Sequence, residues 1–248
     1  MFLPQAMRQR NREAAEEQAR SIERSGDKYQ EALAEAARHH STQEYLRAAK
    51  AYREAISLEP DDPTAYFNLG SALSASGGHD MEAAQRYLEA KERWPVGSEL
   101  WAQAMAKAFD TLQLEQCADV AKPEWWDDEG IKALSARVVR AAPTNDVAAN
   151  GMRADALSGQ CCTWEAGPRS AAELTEAAVY FDRTEALCDA PAQKAALASN
   201  AGWCRQKAAA MSHVAAYTEI ARGRPFSNFC RLEIARGRPY NGGFRVGY

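Results

Sequence analysis

The chain has 248 residues, a formal net charge of −4, 46% hydrophobic and 26% charged residues. That length holds one large domain or two small ones, and the balance of charge and apolar content excludes wholesale disorder. Apolar runs are short, Ala177–Phe181 among the longest, and none nears the roughly 20 residues of a membrane-spanning helix.

No signal peptide is expected, because Met1-Phe2-Leu3 runs straight into Pro4 and a stretch rich in Arg and Glu. Glu13, Glu16, Glu17 and Glu23 break the acid-poor pattern of a transit peptide. The expected location is cytoplasmic, with no membrane contact. Alanine makes up roughly a fifth of the chain, while Val and Ile are scarce. Ala is the best helix former and β-branched residues are the strand formers, so the chain should be all-α.

In chain order, residues 1–28 read as a polar, charged helix with little apolar face, which either frays or caps the helices after it. Ser41 with Glu44 reads as a capping box opening a helix. Tyr45, Ala48, Ala49, Tyr52, Ala55 and Ile56 then recur at three- and four-residue steps, one face of a helix that stops at Glu59-Pro60. Asp62 is an N-cap with Pro63 at the first helical position. The helix it opens carries Tyr66, Leu69, Gly70 and Leu73 on one face and ends at Gly77-Gly78. A further helix carries Ala83, Tyr87 and Ala90 and ends at Trp94-Pro95.

Ala48, Tyr52, Ala55 and Pro60 reappear as Ala83, Tyr87, Ala90 and Pro95, and Tyr66 as Trp101, every time 35 residues later. A fixed period of this size with helix–turn–helix content marks a repeat protein. The run Tyr66-x₂-Leu69-Gly70-x₂-Leu73, then Ala83-x₃-Tyr87, then Pro95, resembles the tetratricopeptide repeat. Residues 29–40, ahead of the first good match, fit that pattern poorly. The unit starting at Trp101 keeps the aromatic but has Ala104 and Met105 in place of Leu-Gly. The resemblance implies a right-handed α-solenoid of antiparallel helix pairs over residues 29–112. Residues 113–218 are expected to continue it as degenerate repeats and a closing helix. Within them, Asp127-Asp128 should start one helix, Asp146 another, and Ser170 with Glu173 forms a second capping box. Gly159–Arg169 reads as a loop, and Leu197, Cys204 and Met211 stand at sevenfold steps on the closing helix.

Residues 219–248 differ in kind. Glu219–Pro225 (Glu-Ile-Ala-Arg-Gly-Arg-Pro) is repeated letter for letter as Glu233–Pro239, with Phe226 and Tyr240 after the two copies. The segment holds six Arg and two Glu, a net of +4 against −8 for the remainder. Its Gly and Pro content predicts a disordered basic tail.

Candidate chemistry is sparse. No G-x-x-x-x-G-K-[ST], H-E-x-x-H or G-x-S-x-G motif occurs, so no enzyme, cofactor or metal site is expected. His39, four residues after Glu35, reads as solvated surface, and His79-Asp80 as the start of a helix. The six cysteines form no C-x₂-C pair and read as free, partly buried thiols. The resemblance implies a non-catalytic scaffold or adaptor that holds a peptide or partner protein against the first helices of successive pairs. On the helix from Pro63, the face opposite the packing face is Thr64, Phe67, Asn68, Ser71 and Ala75, with Phe67 as an exposed aromatic anchor. The next unit offers Glu99, Gln103, Ala106 and Lys107. The carboxylate clamp of one subtype of the family is not expected, since only Asn68 stands at a matching position. The alternative is a nucleic-acid-binding accessory protein. It would use Arg222, Arg224, Arg236 and Arg238, whose Arg-Gly-Arg-Pro setting resembles an AT-hook core, although Glu219 and Glu233 would repel phosphate.

Overall fold

The computed structural model describes residues 27–160 and 163–221. Among these residues all regular structure is helical. The helices are α1 (Lys28–Ser41), α2 (Tyr45–Leu58), α3 (Pro63–Ser76), α4 (Asp80–Arg93) and α5 (Glu99–Leu112). A 3₁₀ turn (Glu115–Cys117) leads to α6 (Asp128–Ala141), α7 (Val147–Ser158), α8 (Ala171–Leu187) and α9 (Pro191–Ala221). Most of the boundaries are set by short polar caps. Asp27, Asp62, Ser98, Asp127 and Asp146 each accept a hydrogen bond from a backbone N–H of the first turn they open, satisfying donors the helix leaves orphaned. Ser170 and Glu173 form both bonds of the expected capping box. Gly159 closes α7 in the left-handed region at φ 64°, where glycine carries no Cβ penalty.

Consecutive helices pack pairwise along the chain, and α5 also touches α7 directly. The result is an all-α solenoid of stacked antiparallel hairpins. The first members of the hairpins (α1, α3, α5, α7) form one row, which α9 closes. The spacing is kept tight by alanines: Ala48, Ala49, Ala55, Ala72, Ala83 and Ala90 are completely buried. Aromatic wedges fill what remains, with Tyr52, Tyr66, Tyr87 and Trp101 all buried. One cluster joins Tyr52, Leu69, Leu73 and Tyr87. A second joins Trp101, Met105, Phe109, Ile131, Val138 and Met152, and a third gathers Leu157, Leu174, Phe181 and Cys204 against α9. Since each hairpin shares its core with its neighbours, none buries its apolar face alone.

The lengthened segment between α7 and α8 is strapped to the start of α6. Asp128 accepts from Arg169 at 2.6 and 2.8 Å and from the Trp164 indole at 3.2 Å. Lys132 adds contacts to Asp128 at 3.0 Å and Glu173 at 3.1 Å. Burial alone would raise the Asp128 carboxyl, but these bonds to Arg169, Lys132 and Trp164 hold it far below the usual carboxylate range. Trp164 in turn packs on Phe109 and Trp126. The Trp125-Trp126 turn is therefore part of the core that joins α5 to the strapped loop.

Three expectations are corrected. Ser41 ends α1 instead of opening α2: its hydroxyl donates to the Arg38 carbonyl at 2.8 Å. Glu44 makes no cap bond to α2, because its carboxylate is taken by His39 Nδ1 at 2.5 Å. His39 accordingly is not solvated surface but buried, with Nε2 lying 3.5 Å from Glu35. The closing helix runs to Ala221, past the expected boundary and into the first copy of the duplicated heptapeptide. Along its sevenfold stripe, Cys204 is buried and Leu197 half-buried while Met211 is exposed. The expected N-terminal helix and most of the basic tail lie outside the described residues.

Candidate functional site

The row of first helices presents the face opposite its packing face, and the side chains expected there divide into two groups. Thr64, Glu99 and Lys107 are exposed, while Asn68, Ser71 and Gln103 are half-buried. Gln103 donates to Glu99 at 3.3 Å, one turn apart on α5. Ser71 on α3 faces the Tyr87 phenol of α4 and favours its ionised form. Burial pushes the Tyr87 phenol upward, and Asp110 adds to the effect.

Two members of the expected set are placed differently. Phe67 is not an exposed anchor. It is half-buried, with edge contacts to Tyr87 and Trp94, both at 5.5 Å between ring centroids. The narrow spacing of the hairpins brings Trp94, from the turn after α4, within reach of the ring. Ala106 is completely buried, because α5 packs against α7 as well as α4 and α6 and so has a wider buried face than α3.

That same contact brings together groups that the reading of the sequence missed. Asp110 on α5 and Asp155 on α7 lie close enough for their charges to interact, and the Gln113 side chain favours the charged form of Asp155. Burial pushes both carboxyls up to about 7. For Asp110 the neighbouring Asp155 and Asp146 add to the rise and Lys107 opposes it. On its other side Asp155 influences the Cys204 thiol of α9, which burial raises to about 11. Asp155 thus stands on α7 between α5 and the core cluster in which Ala154 and Leu157 meet Cys204 of α9. Asp110 was legible in principle, since Gln103, Lys107 and Asp110 follow the helical period on one face. Asp155 was not, because α7 has Asn150 where the aromatic signature would stand.

His79, as expected, sits at the start of a helix: its Nδ1 lies 2.9 Å from the Gly77 carbonyl and 3.1 Å from the Ser76 hydroxyl. Cys117, Cys188 and Cys204 are unpaired, buried thiols. Of the arginines singled out for nucleic acid, Arg222, Arg224, Arg236 and Arg238 lie outside the described residues. No described helix is long and apolar enough to cross a membrane.

Residues 38–77, from the end of α1 through α3, match the family of TPR repeats. A search of curated proteins finds no match to the chain. Ala32, Ala36 and His39 stand 34 residues ahead of Tyr66, Gly70 and Leu73, and all six are buried. With its stacked helical hairpins and the match over residues 38–77, the chain is a tetratricopeptide-repeat-like α-solenoid.

Proposed function

We propose that the protein is a non-catalytic interaction scaffold or adaptor, holding an extended segment of a partner protein against the row of first helices. Repeats of this kind generally serve as scaffolds and typically bind protein partners. The observation that carries the reading is the division of α3 and α5 into two faces. Tyr66, Leu69, Gly70 and Leu73 are consumed by packing. Thr64, Asn68, Glu99, Gln103 and Lys107 are left with polar atoms at the surface, suited to pairing with a peptide backbone and its side chains. Phe67 braces this face from beneath, against Tyr87 and Trp94. The unpaired thiols of Cys117, Cys188 and Cys204 are in keeping with a reducing compartment and so with the cytoplasm.

The test selects binders from a random peptide display library on the wild-type chain. Asn68→Arg and Lys107→Glu should each weaken the selected peptides about tenfold or more, roughly 1.4 kcal/mol, with the thermal midpoint unchanged. Peptides that bind both variants as tightly as wild type would remove this face from consideration.

A further inference from the structure

α9 closes the solenoid with part of its length uncovered. It has 31 residues against 17 for α8, so it runs about 20 Å further than the helix it lies against, at roughly 1.5 Å per residue. Along α8 it buries a stripe of Ala201, Cys204 and Ala208, with Leu197 half-buried at its start. The stripe keeps the alternating three- and four-residue steps of a seam between paired helices. Its next step is Met211, and there the cover ends: Ala209, Ala210, Met211, Ser212 and His213 are all exposed. Beside the stripe, Trp203, Lys207 and Met211 stand at four-residue steps along one line of the helix. Trp203 and Met211 are 38% and 39% exposed, and Lys207 Nζ lies 6.0 Å from the centroid of the Trp203 ring. α1, α3 and α7 each have the following helix packed along them. Among the described residues α9 has only α8 and no following helix.

The charge along this line is one-sided. From Pro191 to Val214 the helix carries Lys194, Arg205 and Lys207 and no Asp or Glu. The helix already packed on it answers that charge, since Asp182 of α8 pairs with Arg205 across the interface. Lys207 pairs with no carboxylate among the described residues. The ends of the chain are no better matched: residues 222–248 hold six Arg and one Glu, and residues 1–26 five Arg and four Glu. A second α9 laid against the first would set cations against cations, which opposes pairing.

We infer that Trp203, Lys207 and Met211 form a docking line for an acidic amphipathic helix of a partner protein, which takes the place of the following helix that α9 lacks. The seam that α8 covers continues directly into this line, so the partner extends an interface the fold has already built. Its apolar residues cover Trp203, an aromatic anchor, and Met211. A carboxylate between them pairs with Lys207 as Asp182 pairs with Arg205. An anionic lipid surface is a poorer match, because the exposed face around Trp203 is mostly small side chains (Ala196, Ser199, Ala210) and offers little apolar area to insert. The inference goes beyond the scaffold reading: it uses a different helix, and helix packing in place of an extended segment.

The test selects a display library of helix-forming peptides, randomised over their surface positions, on the full chain. The selected helices should be rich in Glu and Asp, and Lys207→Glu and Trp203→Ala should each weaken them about tenfold or more. Lys207 is exposed, so Lys207→Glu should leave the thermal midpoint unchanged. Selected on Lys207→Glu instead, the same library should return helices bearing lysine, which separates a charge pair from a defect of folding. Selected helices without acidic enrichment, or equal binding by wild type and both variants, would overturn the inference. A dimer in sedimentation that Trp203→Ala dissolves would also overturn it, by putting a second copy on the line. So would retention on phosphatidylserine vesicles that Lys207→Glu abolishes, by putting a lipid surface there. The scaffold reading is tested apart from this, through Asn68 and Lys107, so either can fail alone.

Discussion

The guanidinium of Arg93 lies over the ring of Tyr66, with Cζ 4.1 Å from the centroid. Both residues also converge on one carbonyl. The Tyr66 hydroxyl donates to Pro60 O at 3.0 Å and Arg93 Nε to the same atom at 3.2 Å. The proline turn that ends the first hairpin is thus held by both helices of the second. A stacked cation of this kind contributes about 0.5–1 kcal/mol at an exposed site. Arg93→Ala should therefore lower stability by about 1 kcal/mol in urea unfolding. A double-mutant cycle with Tyr66→Phe should show coupling, since the two share an acceptor. Strict additivity would mean that the three-way contact carries no energy of its own.

Gly70 sets how closely α3 and α4 approach. A Cβ there would stand 3.0 Å from Cδ1 and Cε1 of Tyr87 and 3.2 Å from the Ala83 carbonyl. The Tyr87 ring is buried and braced by Phe67, so it has little room to yield. Gly70→Leu should lower stability by about 1–3 kcal/mol through overpacking, and Gly70→Ala by less. The combination of Gly70→Ala with Tyr87→Leu should recover part of the loss. Chemical denaturation of the three variants checks the order.

How much could be read from residues alone depends on which signals are local. The recurrence of Tyr66, Ala83, Tyr87 and Pro95 depends on side-chain size at a fixed interval, which survives in one dimension, and the hairpins of α3 and α4 stand where it puts them. α1 was harder, because its buried Ala32, Ala36 and His39 are residue types that carry no such signal. The capping box read at Ser41 and Glu44 had the right spacing, but the competing partner, His39, becomes visible only once α1 and α2 are packed. Helical period set Asn68, Gln103 and Lys107 away from the packing face, and they are half-buried or exposed. It failed at Phe67 and Ala106, where a neighbouring hairpin covers what period alone leaves exposed.

The strap on α6 predicts an acid-sensitive tertiary contact. Arg169 and Asp128 are both largely buried, at 7% and 14% side-chain exposure. Removing one partner leaves the other charge uncompensated, which costs on the order of 3 kcal/mol. Arg169→Met should therefore destabilise more than Ser170→Ala, whose lost cap costs about 1 kcal/mol. The sign with pH is set by the lowered Asp128 carboxyl. Its folded value lies below its unfolded one, so its contribution is present above the ordinary carboxylate range and is lost as pH falls through and below about 4. Urea unfolding followed by near-ultraviolet circular dichroism of the Trp125, Trp126 and Trp164 cluster should show stability falling between about pH 5 and pH 2, more steeply in wild type than in Arg169→Met, and an equal fall in both would contradict the assignment.

Asp110 and Asp155 predict the opposite slope. Both carboxyls are raised to about 7 by burial, so the folded chain holds their protons more tightly than the unfolded chain does. Their protonated forms are tolerated at low pH, and stability declines as pH rises from about 4 through 7, where the folded state must ionise groups it has enclosed. Asp110→Asn and Asp155→Asn keep the shape and remove the ionisation. Each should raise the thermal midpoint at pH 8 while leaving it nearly unchanged at pH 4, with a shift of about 2–4 °C for each kcal/mol recovered in a domain of this size. The gain should be smaller for Asp155, whose charged form is already supported by the Gln113 amide. Thermal unfolding across pH 4–8 measures both. Equal shifts at the two ends of the range would show that the asparagines act through packing, because only an ionising carboxyl separates them.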